Sequence, residues 1–403
     1  MNLLTGVRVL DLSRVLAGPY CTALLADLGA EVVKVEPPGG DDARHLGPFK
    51  AGESVYFALN NRAKKSLCLD LKAPGGRELL HRLAEQADVV VENFRPGVAQ
   101  KLGADYERLS RLNPRLIYLS ISGFGQAGTL AHRPAYDLIV QAMSGLMSVT
   151  GWPDGPPTRV GESLGDIAAG LFGAWAIAIA LFARERTGRG QHLDVAMFDS
   201  LFALEVTSLA RYIAMEQAPC RVGNRHPVST PFDTYRASDG LVVIAVANDA
   251  LFRRLAEVMG RPDLATDKRF ESDASRTEHE PVVREAIESW TRGQKVAEVC
   301  ATCEGAGIPV APIWDVAQAA ASDHVRARGL LRALRHPHFG QVEFPTQPVR
   351  FSGTPPAPPR VEPRLGEDSA DVLRGWLHLT PEAIAALERT LVIRGSPSPS
   401  GAE

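Results

Sequence analysis

VRVLDLSRVLAGPYCTALLADLGAEVVKVE, residues 7–36, decides the architecture. Residues 7–12 form a short apolar strand with one acid, Asp11. Residues 13–19 form a loop, and 20–28 form a helix that stops at Gly29. Residues 31–36 return as a strand, and Pro37-Pro38-Gly39-Gly40 ends it. A strand, a helix and a strand of this length make a right-handed βαβ crossover.

The alternation continues downstream. Strands are expected at 67–71, 89–91 and 116–120, and helices at 75–85 and 106–111, the former with Pro74 at its start. Short runs of Val and Leu suit parallel strands buried on both faces. The fold class is therefore α/β, with a modified Rossmann-like large domain. The first turn holds one glycine, in Leu16-Ala17-Gly18-Pro19, so the GxGxxG dinucleotide signature is missing. Asp11 and Glu36, each closing a strand, read as caps or surface residues. The glycine-rich loop at 123–128 follows a strand, where open sheets place ligands.

Outward from this core the character changes after Pro219. Strands at 232–235 and 241–247 flank the turn Ser238-Asp239-Gly240, with helices at 250–259, 278–290 and 294–304. This is a smaller α+β domain. The expected division is 1–210 for the first part of the large domain and 211–230 for a linker. It continues with 231–320 for the small domain, 321–395 for a segment completing the large one, and 396–403 for a disordered tail. A proline-rich strap covers 345–363.

The 403 residues are 45% hydrophobic and 23% charged, enough for two sizeable cores. A net charge of -3 without a basic tract argues against a nucleic-acid partner. The first residues enter a strand directly, without a secretion signal, and the five cysteines do not form an even framework; a cytoplasmic setting is expected. Cys300-Ala-Thr-Cys303 has redox-motif spacing but lies on a helix-like stretch.

RVGESLGDIAAGLFGAWAIAIALFA, residues 159–183, contains one carboxylate, Asp166, at the mouth of an uncharged run. The run reads as a helix buried nearly all round rather than a membrane span. A carboxylate there is favoured by the free N–H groups and the helix dipole. Asp166 is thus either a simple helix cap or a nucleophile at the rim of the core.

The chain resembles the family III CoA-transferases, the CaiB/BaiF group, which also contains the α-methylacyl-CoA racemases. The stretches that carry the resemblance are LDLSRVLAGP at 10–19, GAEVVKVE at 29–36, NNRAKKS at 60–66, VENFRPG at 91–97, SGFG at 122–125, LGD at 164–166 and RTGRGQ at 186–191. The resemblance implies that Asp166 is the catalytic aspartate, forming an acyl anhydride and then an aspartyl-CoA thioester. It implies CoA contacts at Arg14, Val15, Ala17, Leu69, Lys72, Asn93, Phe94 and Lys101. Arg14, Lys72 and Lys101 suit phosphates, and Phe94 suits packing on the adenine or the thiol arm. Pro37 stands where some members carry an arginine, and Arg44 is the candidate replacement.

Tyr136, Asp137, Arg225 and His226 are candidates for contacts to the acid substrate. The family's covering glycine loop is matched best by Gly223-Asn224-Arg225-His226. The resemblance further implies an interlocked homodimer, with acyl-CoA and a free carboxylic acid as substrates. It implies no tightly bound cofactor, no metal and no membrane partner. Among members, the chain looks most like succinyl-CoA-dependent dicarboxylate transferases. A monocarboxylate or carnitine-type transferase is the alternative. The racemase reading is weaker, because Tyr136 precedes Asp137 where racemases carry a histidine, and a phenol with a pKa near ~10 is a poor base.

Overall fold

The computed structural model describes residues 2–355 and 358–394. The expected tail at 396–403 and residues 356–357 of the strap lie outside the described residues. The chain divides into two units. One runs up to 146, through 160–209 and from 324 on; the other comprises 147–159 and 210–323.

In the first unit, β1 (Arg8–Asp11), α1 (Ala17–Asp27) and β2 (Glu31–Glu36) form the expected crossover. A small hairpin, β3 (Phe49–Lys50) and β4 (Glu53–Ser54), leads into α2 (Val55–Asn61). There follow β5 (Lys65–Leu69), α3 (Pro74–Glu85), β6 (Val89–Glu92), α4 (Val98–Leu102), α5 (Tyr106–Leu112) and β7 (Ile117–Ser122). Next come α6 (Asp137–Ser144), α7 (Leu146–Val149), which belongs to the second unit from Met147 on, and then α8 (Leu164–Thr187), β8 (His192–Ala196) and α9 (Met197–Leu204) of the first. Helix α10 (Val206–Met215) carries the chain into the second unit.

There, β9 (Phe232–Ala237) and β10 (Gly240–Ala245) precede α11 (Asp249–Val258), α12 (Asp273–Glu278), α13 (Glu280–Thr291) and α14 (Val296–Gly305). β11 (Val310–Pro312) completes an antiparallel sheet ordered β11-β10-β9. Its core is built on Tyr235, Val242, Ile244, Phe252 and Ile287. Cys300 and Cys303 are free and buried on α14. Residues 147–159, assigned from sequence to the large domain, cluster with this second unit. Helices α15 (Val316–Ala321) and α16 (Asp323–Arg328) lead back. The hairpin β12 (Leu331–His336) and β13 (Gly340–Pro345), then α17 (Ser369–Leu377), α18 (Pro381–Arg389) and β14 (Ile393–Arg394), close the first unit.

The large sheet is ordered β14-β5-β2-β1-β6-β7-β8, with β14 antiparallel and the others parallel. Alternate residues of each strand feed opposite faces. Leu10, Val33, Leu67, Val90 and Tyr118 pack with α3 and α17. Val9, Val32, Val89, Leu119 and Ile121 pack with Cys21 and Leu25 of α1 and with Ala169 and Ile177 of α8. From β1 the chain builds outward through β2 to β5, and from β6 outward the other way. The order therefore reverses between β1 and β6, and the crevice beyond their carboxyl ends is the switch point where such sheets bind ligands.

Three expectations need correction. Helix α1 starts at Ala17, three residues early, because Pro19 falls in its first turn, where a missing N–H costs nothing. Asp11 and Glu36 are neither caps nor surface residues: they are 0% and 1% exposed and ion-paired to Lys64 and Arg44. Helix α8 is not buried all round. It packs on α1, β7 and β8, yet Leu171, Trp175, Ile179 and Phe182 form an exposed apolar stripe at helical spacing. By length and composition α8 is apolar enough to cross a membrane; in this fold one face of it serves the sheet.

Candidate active site

Asp166 stands in the first turn of α8, two residues after Leu164 opens the helix. The approach to that turn is held by α6. Gln141, fully buried, donates from Nε2 to Asp137 Oδ2 at 2.7 Å and to the Glu162 carbonyl at 3.1 Å, while its Oε1 accepts the Val160 N–H at 2.9 Å. Asp137 Oδ1 accepts the Gly165 N–H at 2.8 Å. Both Asp137 oxygens are thus occupied by the chain itself, and its carboxylate lies beside the turn that carries Asp166.

The consequence is electrostatic. Burial, and then the negative charge of Asp137, push the Asp166 carboxyl up to about 7. No hydrogen-bond donor among the described residues reaches its oxygens. Hence Asp166 is a half-buried carboxylate with no counter-ion among the described residues, at the positive end of a helix. That combination is poor for stability and suited to a nucleophile.

Gly165 is required here. A Cβ at this position would lie 2.8 Å from Val140 Cγ2 and 3.1 Å from Asp137 Oδ1. Gly165→Ala is expected to shift the first turn and lower kcat/KM on the order of tenfold or more, with the fold retained. Initial rates and a melting curve check this; an unchanged kcat/KM would show that the turn tolerates displacement.

One turn along α8, Gly170 packs against α1, where an added Cβ would meet the Ala17 carbonyl at 2.7 Å. Asp166 shares that helix face, so it stands above the start of α1 and the loop before it. Tyr56 of α2 completes the surround. Its phenol is pushed up to about 12 by burial and then by the charge of Asp166. Sequence reasoning missed Tyr56, because nothing near it in the chain marks it; only the fold brings α2 to α8.

The expected CoA contacts lie along the carboxyl edge of the sheet. Asn93, just after β6, grips the loop after β1: its Oδ1 accepts the Arg14 N–H at 2.8 Å and its Nδ2 donates to the Arg14 carbonyl at 2.7 Å. Val15 and Ala17 belong to the same loop and helix start. Arg14 is partly exposed and pairs with Asp42. Lys72, in the turn after β5, and Lys101, on α4, are exposed. Phe94 is half-buried against the core. Leu69 has its side chain in the core, 1% exposed, so any contact to a ligand there runs through its backbone.

Arg44 is committed elsewhere. It clasps Glu36 through two bonds of 2.7 Å, donates to the Pro363 carbonyl and covers the Phe57 ring. Tyr136 is 76% exposed at the start of α6. Arg225 and His226 lie in the second unit. His226 leans on Phe232, and its loop is anchored by the Gly223 N–H to the Gly151 carbonyl at 3.0 Å.

The structure is thus an α/β protein with a parallel sheet, a switch-point crevice and a half-buried carboxylate at a helix head. The chain belongs to CoA-transferase family III, whose model matches residues 4–369. It is 49% identical over 86% of its length, and 89% of the relative's, to the acetyl-CoA:oxalate CoA-transferase of Acetobacter aceti. It is 41% identical to the succinate–glutarate CoA-transferase of Agrobacterium fabrum, covering 92% of this chain and 94% of that one. A CaiB/BaiF family protein from Brucella suis matches structurally with a TM-score of 0.83 at 38% identity, over 93% of this chain and 100% of that chain.

Proposed function

We propose that this enzyme moves CoA from an acyl-CoA donor to a free dicarboxylate, with Asp166 as the nucleophile. The observation that carries the reading is the unpaired, half-buried Asp166 carboxylate at the head of α8, beside the switch-point loop. The Asp166 carboxylate attacks the donor thioester carbonyl, forming a mixed anhydride and expelling CoA thiolate. The thiolate attacks the aspartyl carbonyl, giving an aspartyl-CoA thioester and releasing the donor acid. The acceptor carboxylate attacks that thioester and expels the thiolate again. The thiolate then takes the acceptor's acyl carbonyl, which leaves the new acyl-CoA and a free Asp166 carboxylate. Each step exchanges one acyl bond for another, so no redox step is needed.

Arg14, Lys72 and Lys101 are the cations for the CoA phosphates, with Phe94 against the nucleotide or thiol arm. Tyr56 and Tyr136 face the acyl group, and Arg225 and His226 take the remote carboxylate. Succinyl-CoA is the first donor to test, and acetyl-CoA the second, since the Acetobacter relative is named for that donor and oxalate. The enzyme works as an interlocked homodimer, a reading supported by the bare apolar stripe on α8.

The test incubates the protein with succinyl-CoA or acetyl-CoA and a panel of oxalate, glutarate, mesaconate, malate and carnitine, and follows acyl-CoA species by mass. A new dicarboxyl-CoA is expected. Free CoA alone would shift the reading to hydrolysis, a carnitinyl product would favour the monocarboxylate class, and α-proton exchange on a branched acyl-CoA would favour a racemase.

A further inference from the structure

The loop between β1 and α1 is pinned by side chains. The Ser13 N–H donates to Asp11 Oδ1 at 3.0 Å, and the Ser13 carbonyl accepts from Lys34 Nζ at 2.9 Å. Asn93 takes both main-chain groups of Arg14, and the Val15 N–H donates to Asp41 Oδ1 at 3.1 Å. Val15 itself has φ +67°, the left-handed region that a β-branched residue avoids. Its conformation persists because the surroundings impose it.

What imposes it is a buried ionic lattice. Lys34 and Lys64 are 0% and 5% exposed, and both ammonium groups are fully enclosed. Lys34 Nζ lies 2.7 Å from Asp41 Oδ2. Lys64 Nζ lies 2.9 Å from Asp11 Oδ2 and from the Pro19 carbonyl. Glu36 accepts the Asp41 N–H at 3.1 Å and is clasped by Arg44. Lys34, Lys64 and Arg44 thus answer Asp11, Glu36 and Asp41. Buried ion pairs add little net stability over apolar packing, because desolvation offsets their attraction. Their effect here is on shape: they hold the main chain of one loop at the switch point.

We infer that Lys34 is a positioning residue for acyl-CoA recognition, its enclosed ammonium joining Asp41 to the Ser13 carbonyl and fixing the loop that receives CoA. The inference rests on the proposed reading that this loop contacts CoA. Loss of Lys34 therefore weakens CoA binding and leaves the acceptor and the chemical steps alone.

The test titrates the full chain with coenzyme A by calorimetry, alongside initial-rate kinetics, for wild type, Lys34→Met, Lys34→Met/Asp41→Asn and Asn93→Ala. The single Lys34 variant leaves the Asp41 carboxylate buried without its cation. The double variant removes one cation and one carboxylate together, and the amide oxygen introduced by Asp41→Asn still accepts the Val15 N–H, so the fold is kept. Both Lys34 variants are expected to raise the Kd for CoA, and the KM for acyl-CoA, about tenfold, with kcat and acceptor KM unchanged. A merely structural role would lower the titration stoichiometry and kcat at constant Kd, and would overturn the inference. So would a Kd within about twofold of wild type in both Lys34 variants while Asn93→Ala weakens binding. If Asn93→Ala also leaves the Kd unchanged, the loop is not the CoA contact, and the proposed reading of the loop falls with the inference.

Discussion

Asp166→Asn is expected to abolish CoA transfer, by at least about four orders of magnitude, while making the protein more stable at pH 8. The two effects have one cause. The carboxyl is pushed up to about 7 in the fold against an ordinary value of 3.8. Between those values the folded chain holds a proton that the unfolded chain has released. Stability therefore falls as pH rises from about 4 to about 7, and the loss is complete above that. The full shift corresponds to a few kcal/mol at most, reduced because the group keeps partial access to solvent. An amide of the same shape removes the loss but cannot form an anhydride. Melting curves at pH 4.5 and pH 8 check the first half: the variant's advantage should be small at the lower pH and larger at the higher. Mass analysis of acyl-CoA products checks the second. A variant that is no more stable at pH 8 would show that Asp166 is well solvated, and one that still transfers CoA would move the nucleophile elsewhere.

The sheet was legible because its signals are local. Short Val and Leu runs, Pro74 at a helix start and the break at Pro37-Pro38-Gly39-Gly40 each act within a few residues. The place of Asp166 at a helix head was legible for the same reason, since a lone acid before an apolar run is a local pattern; that pattern left cap and nucleophile open, and the nucleophile reading came from the family resemblance. What stayed hidden depends on distant partners. Asp11 is buried because Lys64 reaches it from a later strand approach, and Glu36 because Arg44 folds back upon it. Neither pairing has a period or a spacing that could announce it. Leu69 carried a family expectation, and its side chain packs in the core with residues of α3 and α17, which no local pattern announces. The composition of α8 spoke for burial on every face. Its stripe of Leu171, Trp175, Ile179 and Phe182 is bare in the single chain, and composition alone does not say what covers a face. Tyr56 and Gln141 show the same limit at the site itself: Tyr56 feels the charge of Asp166, and Gln141 bonds the approach to α8, each far along the sequence.

Acid should silence the enzyme through Asp166, and Asp137 should set part of where this happens. In the proposed mechanism the attacking species is the carboxylate, so kcat/KM is expected to rise with pH and level off above about 7, the value to which burial and Asp137 push the group. At pH 5 the rate should have fallen roughly a hundredfold. Burial is the larger cause of the shift and the Asp137 charge the smaller. Asp137→Asn keeps an oxygen to accept the Gly165 N–H and removes the charge, so the acid limb should move down by less than half of the way toward an ordinary aspartate. It should move without vanishing, because burial remains. The pH profile of kcat/KM for both proteins, measured with saturating acceptor, decides the matter. A limb that stays at the wild-type position in Asp137→Asn would remove Asp137 from the electrostatics of the site. A limb that drops all the way to the ordinary range would make the charge, rather than burial, the dominant cause.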